Sequence, residues 1–137
     1  MIRYLIDTNH MSAALKRVSV VRDRMQQLRL KEGAVFAACG PVLCELLVGV
    51  DLRKDANANR RRLDLLLSFV RIWPIELVTA NEYAKVYREL QKAGRVLSQT
   101  DMILASMARQ FDAHLLTSDN DFKALPDVRT ENWIFKP

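Results

Sequence analysis

The sequence has little of what makes a chain flexible, soft-metal-binding or membrane-bound. Its 137 residues include only four Gly and four Pro, which excludes a long loose linker and a collagen-like repeat. It has two cysteines, Cys39 and Cys44. Their spacing is neither C-x-x-C nor half of a zinc knuckle, so both read as small buried hydrophobes in a reducing cytoplasm. The longest run without charge, Gly33 to Cys44, is broken by Gly40-Pro41 and is too short to span a bilayer. Asp7 interrupts the N-terminus after a few apolar residues, so no signal peptide is expected. What remains is ordinary globular material: half of the residues are hydrophobic and 27% are charged, which rules out a disordered chain. The length suits one domain over 1–137. A net charge of +5 permits nucleic-acid binding without requiring it.

Short apolar runs alternate with helical periodicity. A strand is expected over Ile2–Ile6, followed by a helix capped near Thr8 or Asn9. Ser19–Lys31 carries helical spacing, and Val35–Ala38 reads as a second strand. Pro41 suits a first helical turn. Asn57–Phe69 is a further helix, and Ile72–Ile75 is an edge strand because Pro74 cannot donate to a ladder. Thr79–Lys92 reads as a helix with a Thr79/Glu82 capping box, and Gln99–Gln110 as one with Ser98/Asp101. Leu115-Leu116 is a strand, and Val128–Trp133 a last one. Continuously apolar strands between helices imply an α/β fold with a mainly parallel sheet, covered on both faces. Ligands bind such sheets outside the carboxyl ends of the strands.

That rule singles out the acids. Asp7 directly follows the first strand and Asp119 the fourth. Glu45 stands alone among Val42, Leu43, Cys44, Leu46, Leu47 and Val48, with no polar stripe to explain it. Asp101 opens a helix that is apolar nearly all round, hence buried. Asp119 and Asp121 sit in a turn that is no EF-hand, since Ala124 and Thr130 fall where Gly and Glu are required. Two carboxylates about 4 Å apart repel by roughly 4 kcal/mol at an effective dielectric near 20. A hard divalent ion removes that penalty, and oxygen-only coordination suits Mg²⁺ or Mn²⁺. Without Asp7, Glu45, Asp101 and Asp119, 21 cations face 12 acids, and such a basic body attracts a polyanion. Arg60, Arg61 and Arg62 are a candidate RNA contact, or simply a solvated helix face.

The blocks Tyr4-Leu5-Ile6-Asp7-Thr8-Asn9, Pro41 to Gly49, Asp101 to Ala105, Leu116 to Phe122 and Glu131-Asn132-Trp133 together resemble the PIN-domain ribonucleases. Length and block order are similar to the VapC toxins of toxin–antitoxin pairs. The resemblance implies an α/β/α three-layer sandwich and a Mg²⁺- or Mn²⁺-dependent endoribonuclease that cleaves RNA by metal-activated water. It implies Asp7, Glu45, Asp101 and Asp119 as catalytic, metal-binding residues with Asp121 beside them. Thr8 and Asn9 would orient Asp7, and Thr117 would support the site. It further implies a homodimer and a cognate antitoxin protein as partner. His10 is expected to be supporting or exposed, not catalytic.

Two other readings remain open on the residues. One is a phosphoryl-transfer enzyme with Asp7 as nucleophile, although position 9 is Asn where a second acid is common. The other is a module of this fold that binds RNA or a partner without turnover.

Overall fold

The computed structural model describes residues 1–134. Its strands are β1 (Arg3–Ile6), β2 (Val35–Cys39), β3 (Val70–Trp73), β4 (His114–Leu116) and β5 (Thr130–Glu131). They form one five-stranded sheet in the order β3-β2-β1-β4-β5, every pairing parallel. The helices are α1 (Thr8–Ala14), α2 (Val20–Glu32), α3 (Gly40–Asp51), α4 (Ala56–Leu67), α5 (Leu77–Lys92) and α6 (Gln99–Gln110), with a 3₁₀ turn over Asn120–Ala124.

The strand order dictates the layers. The chain steps outward from β1 to β2 to β3, then returns across the sheet to β4. Parallel crossovers are right-handed. Steps in opposite directions therefore place α1–α4 on one face and α5–α6 on the other. Both faces of the central strands are covered, so successive side chains on either side are buried. Leu5, Ile6, Ala37, Ala38, Leu115 and Leu116 are all inaccessible. That is why these strands read as unbroken apolar runs instead of alternating ones.

Local chemistry sets the helix ends. Ser19 caps α2 through its side chain, and Gly33 closes it in the left-handed region at φ 66°. Pro41 occupies the first turn of α3. Helix α6 is buried from Met102 through Ala108, as its all-round apolarity requires. Its one buried hydroxyl, on Ser106, donates to the Met102 carbonyl at 2.6 Å.

Four sequence expectations are corrected. Helix α5 begins at Leu77, not Thr79. Thr79 is its third residue, and its hydroxyl reaches back to accept the Glu76 N–H at 3.1 Å. The apolar residues of that first turn, Leu77 and Val78, face solvent, which hides the turn from a periodicity reading. Strand β3 ends before Pro74, since proline supplies no ladder donor; it does form an edge. The last strand is only Thr130–Glu131. Cys39 is buried but Cys44 is exposed, because α3 turns Cys44, Glu45 and Val48 outward. No described helix is long and apolar enough to cross a membrane.

Candidate metal centre

The acids converge at the carboxyl end of the sheet because three chain crossings deliver them there. Strands β1 and β4 are paired, Ile6 opposite Leu116. The residues just beyond them, Asp7 and Thr117 to Asp119, are therefore neighbours. Asp7 also continues the pairing, its N–H donating to the Leu116 carbonyl at 2.9 Å. The first turn of α6 brings Asp101 from the opposite face.

Thr117 joins two of these acids. Its hydroxyl donates to Asp7 Oδ2 at 2.8 Å and accepts the Asp119 N–H at 3.0 Å. The other Asp7 oxygen accepts the Thr8 N–H at 2.7 Å. Asp7 is thus held at both oxygens while only 8% exposed. Asp119 Oδ1 accepts the Asp121 N–H at 2.8 Å. Asp101, Asp119 and Asp121 each present one oxygen within 4.8 Å of the others.

Glu45 comes from α3 and is tied in by hydroxyls. Thr8 donates to its Oε2 at 2.6 Å, and Thr100 to its Oε1 at 3.5 Å. Glu45 lies outside the tight trio, as does Asp7, yet both belong to the same electrostatic site. Burial raises the Asp7 carboxyl above its usual range, and the Asp119 and Glu45 charges raise it further against the Thr117 and Thr8 hydrogen bonds. Asp101 is pushed up to about 6, first by burial, then by Asp7, with Asp119 and Asp121 adding to it. Asp7 and Asp101, partly withdrawn from solvent and facing other carboxylates, resist ionisation, and the group that surrounds them is unfavourable as a set of bare anions. It is suited to a cation.

The PIN-domain family matches residues 4–128. The chain belongs to the PIN-domain family. It is of the VapC type within it. Ribonuclease VapC2 of Rickettsia felis is 29% identical over 131 residues, 95% of this chain and 97% of that one. Ribonuclease VapC of Rickettsia bellii is 31% identical over 91 residues, 64% of this chain and 68% of that one. Among solved structures, VapBC2 of Rickettsia felis, bound to a DNA fragment from its promoter, superposes with a TM-score of 0.83 at 27% identity. It covers 96% of this chain and 99% of its own.

Several residues of this PIN domain take positions that sequence does not announce. The Asn9 side chain makes no hydrogen bond to Asp7; its amide donates to Ser118 Oγ at 2.7 Å. Thr8 reaches Asp7 through its backbone, while its hydroxyl serves Glu45. Thr100 and Ser118 escape sequence reasoning altogether. Their only signal is adjacency to Asp101 and Asp119. Of the arginine trio, Arg60 pairs with Asp51 at 3.4 Å and Arg62 with Asp55 at 3.6 Å. Arg61 is exposed and has no ion pair among the described residues.

His10 is neither exposed nor turned into the site. It is fully buried, and its Nε2 accepts the Trp133 N–H at 2.9 Å. Its Nδ1 therefore carries the proton, donated to Asn9 Oδ1 at 2.8 Å. Burial lowers its pKa to about 4, so the ring is neutral at physiological pH. The chain Trp133–His10–Asn9–Ser118 ties the end of the fold to the loop that carries Asp119. His10→Ala is expected to cost about 2–3 kcal/mol, by leaving the Trp133 N–H unsatisfied and opening a cavity. Denaturant unfolding measures this; an unchanged midpoint and slope would show that the bridge carries no stability.

Proposed function

We propose that this chain is a divalent-cation-dependent endoribonuclease, the toxin of a type II toxin–antitoxin pair. The observation that carries the reading is the convergence of Asp7, Glu45, Asp101, Asp119 and Asp121 at one end of the sheet. The ribonuclease names of its VapC relatives support it.

The donor set fits a hard cation. The acids converging on the site offer only oxygen, and the nearby imidazole, His10, faces away. That chemistry selects Mg²⁺ or Mn²⁺ over Zn²⁺. Asp7, Glu45, Asp101 and Asp119 are assigned to hold it, with Asp121 adjoining. When bound, such an ion supplies charge neutralisation at a phosphodiester and a water acidic enough to attack it at neutral pH. The chain supplies the rest. Thr117 and the Thr8 amide fix Asp7, the Thr8 and Thr100 hydroxyls fix Glu45, and the Ser98 cap fixes the turn bearing Asp101 by accepting its N–H at 3.1 Å. Arg61 is the member of the trio free to meet a phosphate.

The partners follow from the same reading. RNA is the substrate, and a cognate antitoxin is the protein that restrains the chain. The solved VapBC complex of Rickettsia felis supports this. A homodimer is the assembly we assign in solution.

The test is direct. The purified chain, given RNA with Mn²⁺ or Mg²⁺, should cut it internally, and a chelator should stop the cutting. Expression without a partner should arrest growth, and Glu45→Gln should relieve the arrest. RNA that is bound but left whole under both ions would reduce the chain to a binding module. A phosphate trapped on Asp7 would make it a phosphoryl-transfer enzyme instead.

A further inference from the structure

The layer built from α1–α4 carries a cluster of the opposite sign to the acids. A cleft of about 500 Å³ between α2 and α4 is lined by Arg17, Arg22, Arg29 and Arg62, with Gln26 and Ser68 beside them. Among the described residues no carboxylate lines it. It adjoins a second cleft of about 330 Å³, which shares Arg29, Ser68 and Phe69 and adds Arg71. The shared residues make the two one groove, bordered by five arginines.

Elsewhere on the chain, Arg24, Arg60, Arg109 and Arg129 each pair with a carboxylate. In the groove, neutral acceptors do most of the holding. Arg22 donates to the backbone carbonyls of Ala14, Lys16 and Arg17 at 2.8, 2.7 and 3.0 Å. Arg29 donates twice to Gln26 Oε1, at 3.1 and 2.8 Å, and lies 5.1 Å over the Phe69 ring. Arg62 donates to Asn59 Oδ1 at 2.7 Å; its one carboxylate, Asp55, is 3.6 Å away, and its Nη1 makes no hydrogen bond among the described residues. Arg17 and Arg71 are exposed, and their side chains make neither hydrogen bond nor ion pair among the described residues. Carbonyls and amides fix where a guanidinium sits and leave its charge uncancelled. Arginines gathered in this way repel one another, and those already held in place lose little further freedom when an anion arrives.

We infer that this groove is a second RNA contact, remote from the acids, in which the arginines grip the sugar–phosphate backbone. The inference takes from the ribonuclease reading that RNA is what the chain handles. A guanidinium meets a phosphate with two parallel hydrogen bonds. RNA carries a negative charge on every nucleotide, so it meets arginines strung along a groove whatever its sequence; a peptide would need acids in matching register. Ser68 and Phe69 precede β3, and Val35 opens β2, so the far end of the groove lies at the amino edge of the sheet. The acids stand at the carboxyl edge. Strands β2 and β3 have five and four residues, which at about 3.3 Å each separates the edges by roughly 15 Å. Stacked nucleotides advance about 3.4 Å each, so the grip falls some five nucleotides or more from the cut. It therefore acts on RNA affinity and not on the chemical step.

Arg17→Gln combined with Arg71→Gln removes two exposed charges whose side chains bond to nothing else, so the fold is kept. Arg88→Gln combined with Lys92→Gln removes the same charge from α5, on the opposite face of the sheet. Binding of a dye-labelled hairpin RNA is followed by anisotropy over a salt series, in chelator so that the RNA stays whole. The groove pair should weaken binding about tenfold and lower the slope of log affinity against log salt by about 1.5, since each phosphate contact counts for roughly 0.7 to 0.9. The α5 pair should keep the parent slope. With Mn²⁺, the groove pair should raise KM for the hairpin by the same factor and keep the parent kcat. Equal losses from both pairs would reduce the effect to net charge and overturn the groove, as would parent-like binding by the groove pair; either leaves the ribonuclease reading intact. Lost inhibition by the cognate antitoxin with parent-like RNA binding also overturns it, by assigning the groove to the partner. A parent chain that binds the hairpin through these arginines yet cuts it with neither ion overturns the ribonuclease reading and leaves the groove standing.

Discussion

Asp7→Asn is expected to abolish cation-dependent RNA cleavage while leaving the chain folded and, without metal, more stable. The side chain is nearly isosteric. Its remaining oxygen can still accept from the Thr8 N–H, and the Thr117 hydroxyl can rotate to accept from the new amide. What disappears is one negative charge, at a buried position where Asp119 and Glu45 oppose it. Its loss relieves the metal-free protein. It also removes a charge that the cation needs, and a divalent ion contributes several kcal/mol of charge stabilisation to phosphodiester cleavage. A loss of ~4 kcal/mol is about a thousandfold in rate. Cleavage followed on gels, beside melting curves in chelator, reads both effects. Activity within about tenfold of the parent would take Asp7 out of the chemistry. A lower melting temperature would show that its hydrogen bonds outweigh the repulsion.

The opposing signs of those two effects explain how much of the site sequence could reveal. Acids that immediately follow buried strands are visible because the parallel sheet makes their destination predictable. Asp7 and Asp119 were legible in that way, and Asp101 through the apolar helix behind it. Glu45 was legible for a faulty reason. Its apolar neighbours suggested burial, yet Cys44 and Val48 share its exposed face. Long-range side-chain pairing was not legible. The Thr8 hydroxyl meets Glu45 across 37 residues, and Asn9 meets Ser118 across 109. Nothing in local spacing encodes either contact. His10 shows the same limit. Three residues past an acid, it could point either way along a helix of seven residues, and only the return of Trp133 decides that it faces the core. The layered fold was readable because it depends on hydrophobic periodicity. Helix starts were less so, since exposed Leu77 and Val78 break the pattern on which that reading depends.

Cation binding is expected to weaken steeply below pH 6, with Asp101 as the group responsible. Its folded pKa, about 6, stands above the ordinary aspartate value of 3.8. Between those two pH values the folded chain holds a proton that the unfolded chain has released. Metal-free stability therefore falls as pH rises through this window and levels off above 6. A cation needs the ionised carboxylate, so each ion bound in the window displaces a proton, and apparent affinity drops about tenfold for each pH unit below 6. The two trends run in opposite directions. At about a hundredfold excess over its dissociation constant, a ligand stabilises by ~2.7 kcal/mol. Saturating Mn²⁺ should thus raise the melting temperature strongly at neutral pH and weakly in the acid range. Asp101→Asn should stabilise the metal-free chain at neutral pH by about 1 kcal/mol, a figure reduced for solvent screening at a partly exposed group. The same substitution should flatten the pH dependence of whatever Mn²⁺ affinity remains. Melting curves with Mn²⁺ and with chelator, run across that range on both proteins, decide it. An equal Mn²⁺ shift in acid and at neutrality would mean that Asp101 is not among the groups that hold the ion.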